Sequence, residues 1–123
     1  MKNAIVTGGT SGIGRAVAEM LLAKGYHVII TYAYDSNAAE ALREMRQISP
    51  EVEIHEIDQT QRTATYAFLD YVKSSFKHVD CMICNAGITR RSSFKDSKDA
   101  DWDDMMEVAV NSHYIIIREL YEM

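Results

Sequence analysis

Thr7-Gly8-Gly9-Thr10-Ser11-Gly12-Ile13-Gly14 follows a short apolar run, Ala4-Ile5-Val6, and leads straight into a helical pattern. Gly8, Gly12 and Gly14 fall where a strand must turn sharply into a helix. Glycine permits that turn without a Cβ clash and leaves nothing between the main chain and an approaching ligand. The N-terminus of the helix then offers unpaired N–H groups and a partial positive charge, which suit a pyrophosphate. This is the physics of a dinucleotide-binding βα turn. A glycine-rich loop that only turns the chain is the competing reading. A nucleoside triphosphate loop is disfavoured, because no Gly-Lys-Ser/Thr follows.

On the C-terminal side of this turn, Ile13, Val17, Met20 and Leu21 recur with helical spacing, widened by Leu22, and Lys24-Gly25 ends the helix. Asn3 to Thr7 and His27 to Thr31 read as strands, the second apolar on both faces at Val28-Ile29-Ile30. Asp35-Ser36-Asn37 offers capping oxygens for a helix carried by Ala38, Ala41, Leu42, Met45 and Ile48, which Pro50 stops. Val52 to Ile57 alternates as an edge strand does. Thr63 to Phe76 predicts a helix with Ala64, Ala67, Phe68, Tyr71, Val72 and Phe76 on one stripe. Val79 to Cys84 is the fourth strand, Asn85 to Ala100 a polar loop, and Asp101 to about Glu122 a last helix. That helix carries Trp102, Met105, Met106, Val108 and Ala109, then Ile115 to Leu120. Strands alternating with helices imply right-handed crossovers and a parallel sheet. The expected architecture is α/β: a Rossmann-like half-fold, strand order 3-2-1-4, with helices on both faces. It forms one dinucleotide-binding domain over residues 1–123.

Three further stretches join the glycine turn. They are Ile57-Asp58, Asn85-Ala86-Gly87, and Asn111 in Val108-Ala109-Val110-Asn111. Together with Thr7-Gly8-x-x-x-Gly12-x-Gly14 they resemble the short-chain dehydrogenase/reductase family, in order and over essentially the whole chain. Asn85-Ala86-Gly87-Ile88-Thr89-Arg90, with Phe94 and Trp102 beyond, looks particularly like its 3-oxoacyl-[acyl-carrier-protein] reductase branch. The resemblance implies a cofactor site at Thr7, Gly8, Ser11, Gly12, Ile13, Gly14, Tyr32, Asp58, Asn85, Ala86 and Gly87. In it Asp58 would bind the adenine amino group, Asn85 would pin neighbouring strands, and Gly87 would let the backbone approach a ribose. Asn111 would kink the long helix and hold a proton-relay water, the one catalytic residue implied here. The implied activity is an NADP(H)-dependent oxidoreductase acting on a small carbonyl substrate, such as a 3-oxoacyl thioester on acyl carrier protein. The implied assembly is a homo-oligomer, and the competing class is a non-catalytic module that binds nucleotide or self-associates.

Cofactor choice is read at the end of the second strand, where an acid would bind the ribose 2′-hydroxyl and repel a 2′-phosphate. Tyr32-Ala33 carries none, which favours NADP; Ser11 stands where many NADP-preferring relatives have a basic residue, which leaves NAD open. The family's tyrosine acid, its lysine four residues on and its serine are expected beyond Asn111, after Met123. Tyr114-Ile115-Ile116-Ile117-Arg118 only imitates the tyrosine motif: it reads as core, and an arginine stays protonated. Ser112 and His113 point apart as helix neighbours.

The 123 residues fit one domain, 47% hydrophobic with a net charge of −5. That balance argues against nucleic acid or an anionic membrane as partner. No membrane-length apolar run is present, no leader is expected before the first strand, and the two cysteines suit a reducing cytoplasm. Cys81-Met82-Ile83-Cys84 lies on a strand, where positions three apart face opposite ways, so no shared metal is expected. His27, His55 and His78 have no metal-spaced partner.

Overall fold

The structure is a computed structural model that describes residues 1–90 and 92–123. Four strands, β1 (Asn3–Thr7), β2 (His27–Tyr32), β3 (Val52–Glu56) and β4 (Cys81–Ile83), form a parallel sheet in the order β3-β2-β1-β4. The order 3-2-1-4 and the edge position of β3 agree with the sequence reading. Helices α1 (Gly12–Ala23), α2 (Ala38–Arg46) and α3 (Arg62–Ser75) make the crossovers. A long helix follows, α4 (Asp99–Met106) and α5 (Ser112–Leu120), with one π-helical turn at Glu107–Asn111 between them.

Alternation along the strands builds two cores. Ala4, Val6, Val28 and Ile30 face α1 and α2, where they meet Ala18, Leu21, Leu22, Ala41 and Met45. Ile5 and Ile29 face the other way, onto Phe68, Leu69 and Val72 of α3 and Ile115, Ile116 and Leu120 of α5. Each fully buried valine, leucine or isoleucine among these contributes about 2 kcal/mol. On β4, Cys81 and Ile83 pack on the first core and Met82 on the second, and both cysteines are free thiols.

Several expectations need correction. On α1 the buried face is Gly14, Ala18, Leu21 and Leu22, whereas Ile13 and Met20 are exposed. On α3 it is Thr65, Phe68, Leu69 and Val72, and Ala67 is exposed. In both helices the buried stripe is rotated from the expected one, because each carries more apolar residues than the single face packed on the sheet can cover. Trp102 and Tyr114 are exposed rather than core. β4 is shorter than expected because side chains replace the ladder at both ends. Asp80 Oδ2 accepts the Asn3 N–H at 2.8 Å, and Thr7 Oγ1 accepts the Asn85 N–H at 3.0 Å. The expected loop before the last helix contains a 3₁₀ turn at Phe94–Asp96, and that helix begins two residues earlier, at Asp99. Among the described residues no helix is long and apolar enough to cross a membrane.

Candidate functional site

The strand order reverses between β1 and β4, and at such a point an open α/β sheet leaves a crevice beyond the carboxyl ends of its strands. A cleft of about 470 Å³ lies there, bounded by the glycine loop, the segments after β2 and β3, and the Asn85–Arg90 loop. That volume is in the range of small-molecule sites.

The glycine turn forms one wall. Gly8 and Gly12 have φ of 65° and 57°, left-handed values that favour glycine. Gly14 has a different reason: a Cβ there would lie 2.2 Å from the Gly8 carbonyl oxygen and 2.5 Å from Asn85 Nδ2. The first turn of α1 is thus pressed against the end of β1. Ser11 is the N-cap residue, with no side-chain capping bond, and its backbone opens the helix toward the cleft. Among the described residues nothing lies within 4 Å of a Cβ added at Gly12 or Gly87, so the backbone there is bare.

Asn85 joins β4 to this wall. Its side-chain amide donates to the carbonyls of Thr7 at 3.2 Å and Gly8 at 3.0 Å. Thr7 Oγ1 accepts the N–H groups of Asn85 and Ala86, both at 3.0 Å. These four bonds tie the segment after β4 to the end of β1.

At the far end, Asp58 is held in a dense set of bonds. Its Oδ1 accepts the Thr60 hydroxyl and amide at 2.6 and 3.0 Å, and its Oδ2 accepts the Tyr34 hydroxyl at 2.7 Å. The Thr60 hydroxyl, against the opposing effect of partial burial, and then Tyr34, the Thr60 amide and the charge of Arg90 hold this carboxyl below its usual range. The same bond to Asp58 pushes the Tyr34 phenol up. Tyr34 adopts a left-handed backbone, φ 56°, unusual for a bulky residue. Beside it Asp35 accepts the Thr10 hydroxyl at 2.6 Å and the Asn37 N–H at 2.9 Å.

Asn111 is the last residue of the π turn and does not line the cleft. Its amide donates to Glu107 at 3.0 Å, and Arg62 grips the same carboxylate with two bonds of 2.7 and 3.0 Å. The Arg62 guanidinium, opposed by partial burial and aided by Asn111, keeps the Glu107 carboxyl low. The Ser112 N–H reaches back five residues to the Glu107 carbonyl, which is the widened turn itself. The next two side chains tie this helix to both sides of the cleft. Gln59 donates to Ser112 Oγ at 2.9 Å, and His113 Nε2 lies 2.8 Å from Thr7 Oγ1.

Of the residues expected at a site, Gly8, Ser11, Tyr32, Asp58, Asn85, Ala86 and Gly87 line the one cleft. Thr7 and Gly14 are buried beneath it; Gly12 and Ile13 lie on the first turn of α1, with Ile13 exposed. The sequence reading missed Thr10, Tyr34, Asp35, Gln59 and Arg90, which also line it. Asp35 could have been noticed as an acid soon after the second strand, but its capping reading absorbed it. Ser112 and His113 were set aside as a catalytic pair, and their bonds run to different places, Ser112 to Gln59 after β3 and His113 to Thr7 of β1. Among the described residues no group of three His, Cys, Asp or Glu side chains could hold a metal.

A family model for short chain dehydrogenase matches residues 2–123. The chain is similar to the 3-oxoacyl-[acyl-carrier-protein] reductase of Staphylococcus aureus (strain Mu50), 33% identical over 96% of this chain and 48% of the relative. The reductase of the same name from Escherichia coli (strain K12) is 35% identical over 90% of this chain and 44% of its own. Among solved structures, a metagenomic short-chain oxidoreductase in complex with NADP superposes with a TM-score of 0.88 at 28% identity, covering 98% of this chain and 55% of that one. The L-sorbose reductase of Gluconobacter frateurii, complexed with NADPH and L-sorbose, gives 0.83 at 28% identity, over 98% and 46%. The chain therefore spans about half the length of the curated relatives it matches.

Proposed function

The chain belongs to the short-chain dehydrogenase family, and on that premise we propose that these 123 residues hold the nicotinamide dinucleotide of a carbonyl oxidoreductase. The observation that carries this reading is the contact of α1 with the end of β1: only a glycine at 14 lets the helix N-terminus close on the Gly8 carbonyl beside the cleft. The residues present fit such a cofactor, since bare backbone at Gly12 and Gly87 leaves room for close approach. Bound there, the dinucleotide would supply or accept the hydride. The chain's own residues would bind and orient it: the first amides of α1 at the pyrophosphate, Asp58 toward the adenine amino group, and Asn85 through the fixed loop ends. Asn111 is proposed to keep the catalytic-helix role that the family resemblance implies, its π turn offering a widened backbone at that place.

A 3-oxoacyl thioester is the substrate proposed for the whole protein, supported by the names of the relatives from Staphylococcus aureus and Escherichia coli. A homo-oligomer is also proposed. Val110, Tyr114, Ile117 and Tyr121 recur at helical spacing and are all exposed, an apolar stripe that a second copy could cover. Titration of the purified chain with reduced nicotinamide dinucleotides, followed by cofactor fluorescence, tests the central reading. Saturable binding that Gly12→Val abolishes supports it, and absence of binding to a folded chain refutes it.

A further inference from the structure

The segment between β3 and α3 touches the cleft and the long helix at once. Asp58, Gln59 and Thr60 line the cleft. From the same segment, Gln59 and Arg62 reach the π turn and hold it at its two ends. Arg62 grips Glu107, the first residue of the turn, with bonds of 2.7 and 3.0 Å. Gln59 donates at 2.9 Å to Ser112, the residue just past the last. Asn111, which ends the turn, is bonded at 3.0 Å to the carboxylate that Arg62 holds.

The Gln59 bond bears on the register of the turn itself. In a regular α-helix the Ser112 N–H would donate to the Val108 carbonyl, four residues back. Here that N–H goes to Glu107, and the Ser112 hydroxyl donates to Val108 at 2.6 Å. The side chain takes the place that the widened turn removes from the backbone. Its hydrogen is committed to a carbonyl, so Ser112 Oγ is left to accept from the Gln59 amide. The other end of that amide accepts the Thr31 hydroxyl of β2 at 3.4 Å. Ser112 is 0% exposed and Gln59 5%, and away from water a connected chain of hydrogen bonds holds its members more firmly.

We propose that Gln59 and Arg62 are positioning residues, a clasp through which a ligand in the cleft at residues 58–60 fixes the π turn and, with it, Asn111. This rests on the dinucleotide reading of the cleft. A ligand held at Asp58 restrains the segment, and the bonds of Gln59 and Arg62 pass that restraint to both ends of the turn. The test is amide hydrogen exchange, read by NMR on the purified chain with and without NADH. In the native chain NADH should slow the amides at positions 111 and 112 by about fivefold or more. The Ile5 amide, in the middle of the sheet, reports the global stabilisation that any bound ligand gives. Arg62→Gln and Ser112→Ala each open one end of the clasp, and neither residue lines the cleft. Each should shrink the slowing at 111 and 112, and the double variant should abolish it while Ile5 stays slowed. Arg62 lies on the surface, so Arg62→Gln decides the matter even where Ser112→Ala does not fold. Slowing that persists undiminished in either folded variant overturns the inference. So does a native chain in which NADH slows Ile5 but not positions 111 and 112. A folded native chain that binds no NADH overturns the dinucleotide reading and this inference with it.

Discussion

The Thr7 hydroxyl oxygen and His113 Nε2 lie 2.8 Å apart in the buried centre of the molecule. Thr7 Oγ1 already accepts two amides, from Asn85 and Ala86, which occupies both of its acceptor sites. Its hydrogen must therefore be donated, and the imidazole is the near acceptor; the Ile83 carbonyl is at 3.4 Å. His113 Nδ1 lies 3.2 Å from the Ala109 carbonyl, which can only accept. The neutral ring with its hydrogen on Nδ1 satisfies every partner. One threonine and one histidine thus join β1, the loop after β4 and α5.

Removing either partner should cost unequal amounts. His113→Phe leaves one hydroxyl hydrogen without its near acceptor, a loss of about 1–2 kcal/mol. Thr7→Val strands two amides and Nε2 together, and should cost about 3 kcal/mol or more. Denaturant unfolding measures both, and the double variant should fall short of the sum because the residues share a bond. Equal single costs, or strict additivity, would refute the shared network.

The glycines at 12 and 14 should fail differently. Gly14→Ala forces a methyl to 2.2 Å from the Gly8 carbonyl, so about 3 kcal/mol or more of stability should be lost. Gly12→Ala meets no neighbour within 4 Å among the described residues and carries only the left-handed backbone penalty, about 1–2 kcal/mol. It should fold, with weakened cofactor binding. Thermal unfolding paired with cofactor titration separates the two; equal melting temperatures would contradict the packing assigned to Gly14.

Glu53 should make stability fall in acid. Burial opposes its ionisation, but hydrogen bonds from Tyr71, His55 and His27 outweigh it and hold the folded pKa below its usual value. A carboxyl lowered on folding stabilises the chain above its unfolded pKa, and that contribution disappears as pH drops through the folded one. Glu53→Gln should cost about 2 kcal/mol at neutral pH and much less at low pH. Unfolding curves across that range check it; a cost independent of pH would exclude the charge as its source.

Thr65 offers a gain. Its hydroxyl is buried on α3 with no hydrogen-bond partner among the described residues. Replacing it by valine keeps the shape and removes the stranded polar atom, so Thr65→Val should stabilise by about 1 kcal/mol. A lowered melting temperature would show that the hydroxyl has a partner after all.

The chain order of its signals was enough to establish the fold. Ala4-Ile5-Val6 and Val28-Ile29-Ile30 are apolar on both faces and belong inside a sheet, and the weaker alternation after Val52 belongs at its edge. These are local facts of periodicity, and a strand's period of two leaves little freedom. The glycine turn, Asp58, Asn85 and Gly87 were legible for a similar reason, because each is tied to the end of a strand. Helix faces were less legible: α1 and α3 carry more apolar residues than one face can bury, and packing on the sheet selected among them. Tertiary structure alone decided the rest. Thr10 and Asp35 are 25 residues apart, and Thr7 and His113 are 106 apart. No pattern of spacing announces such pairs, since a hydrogen bond depends on where folded backbones bring two side chains.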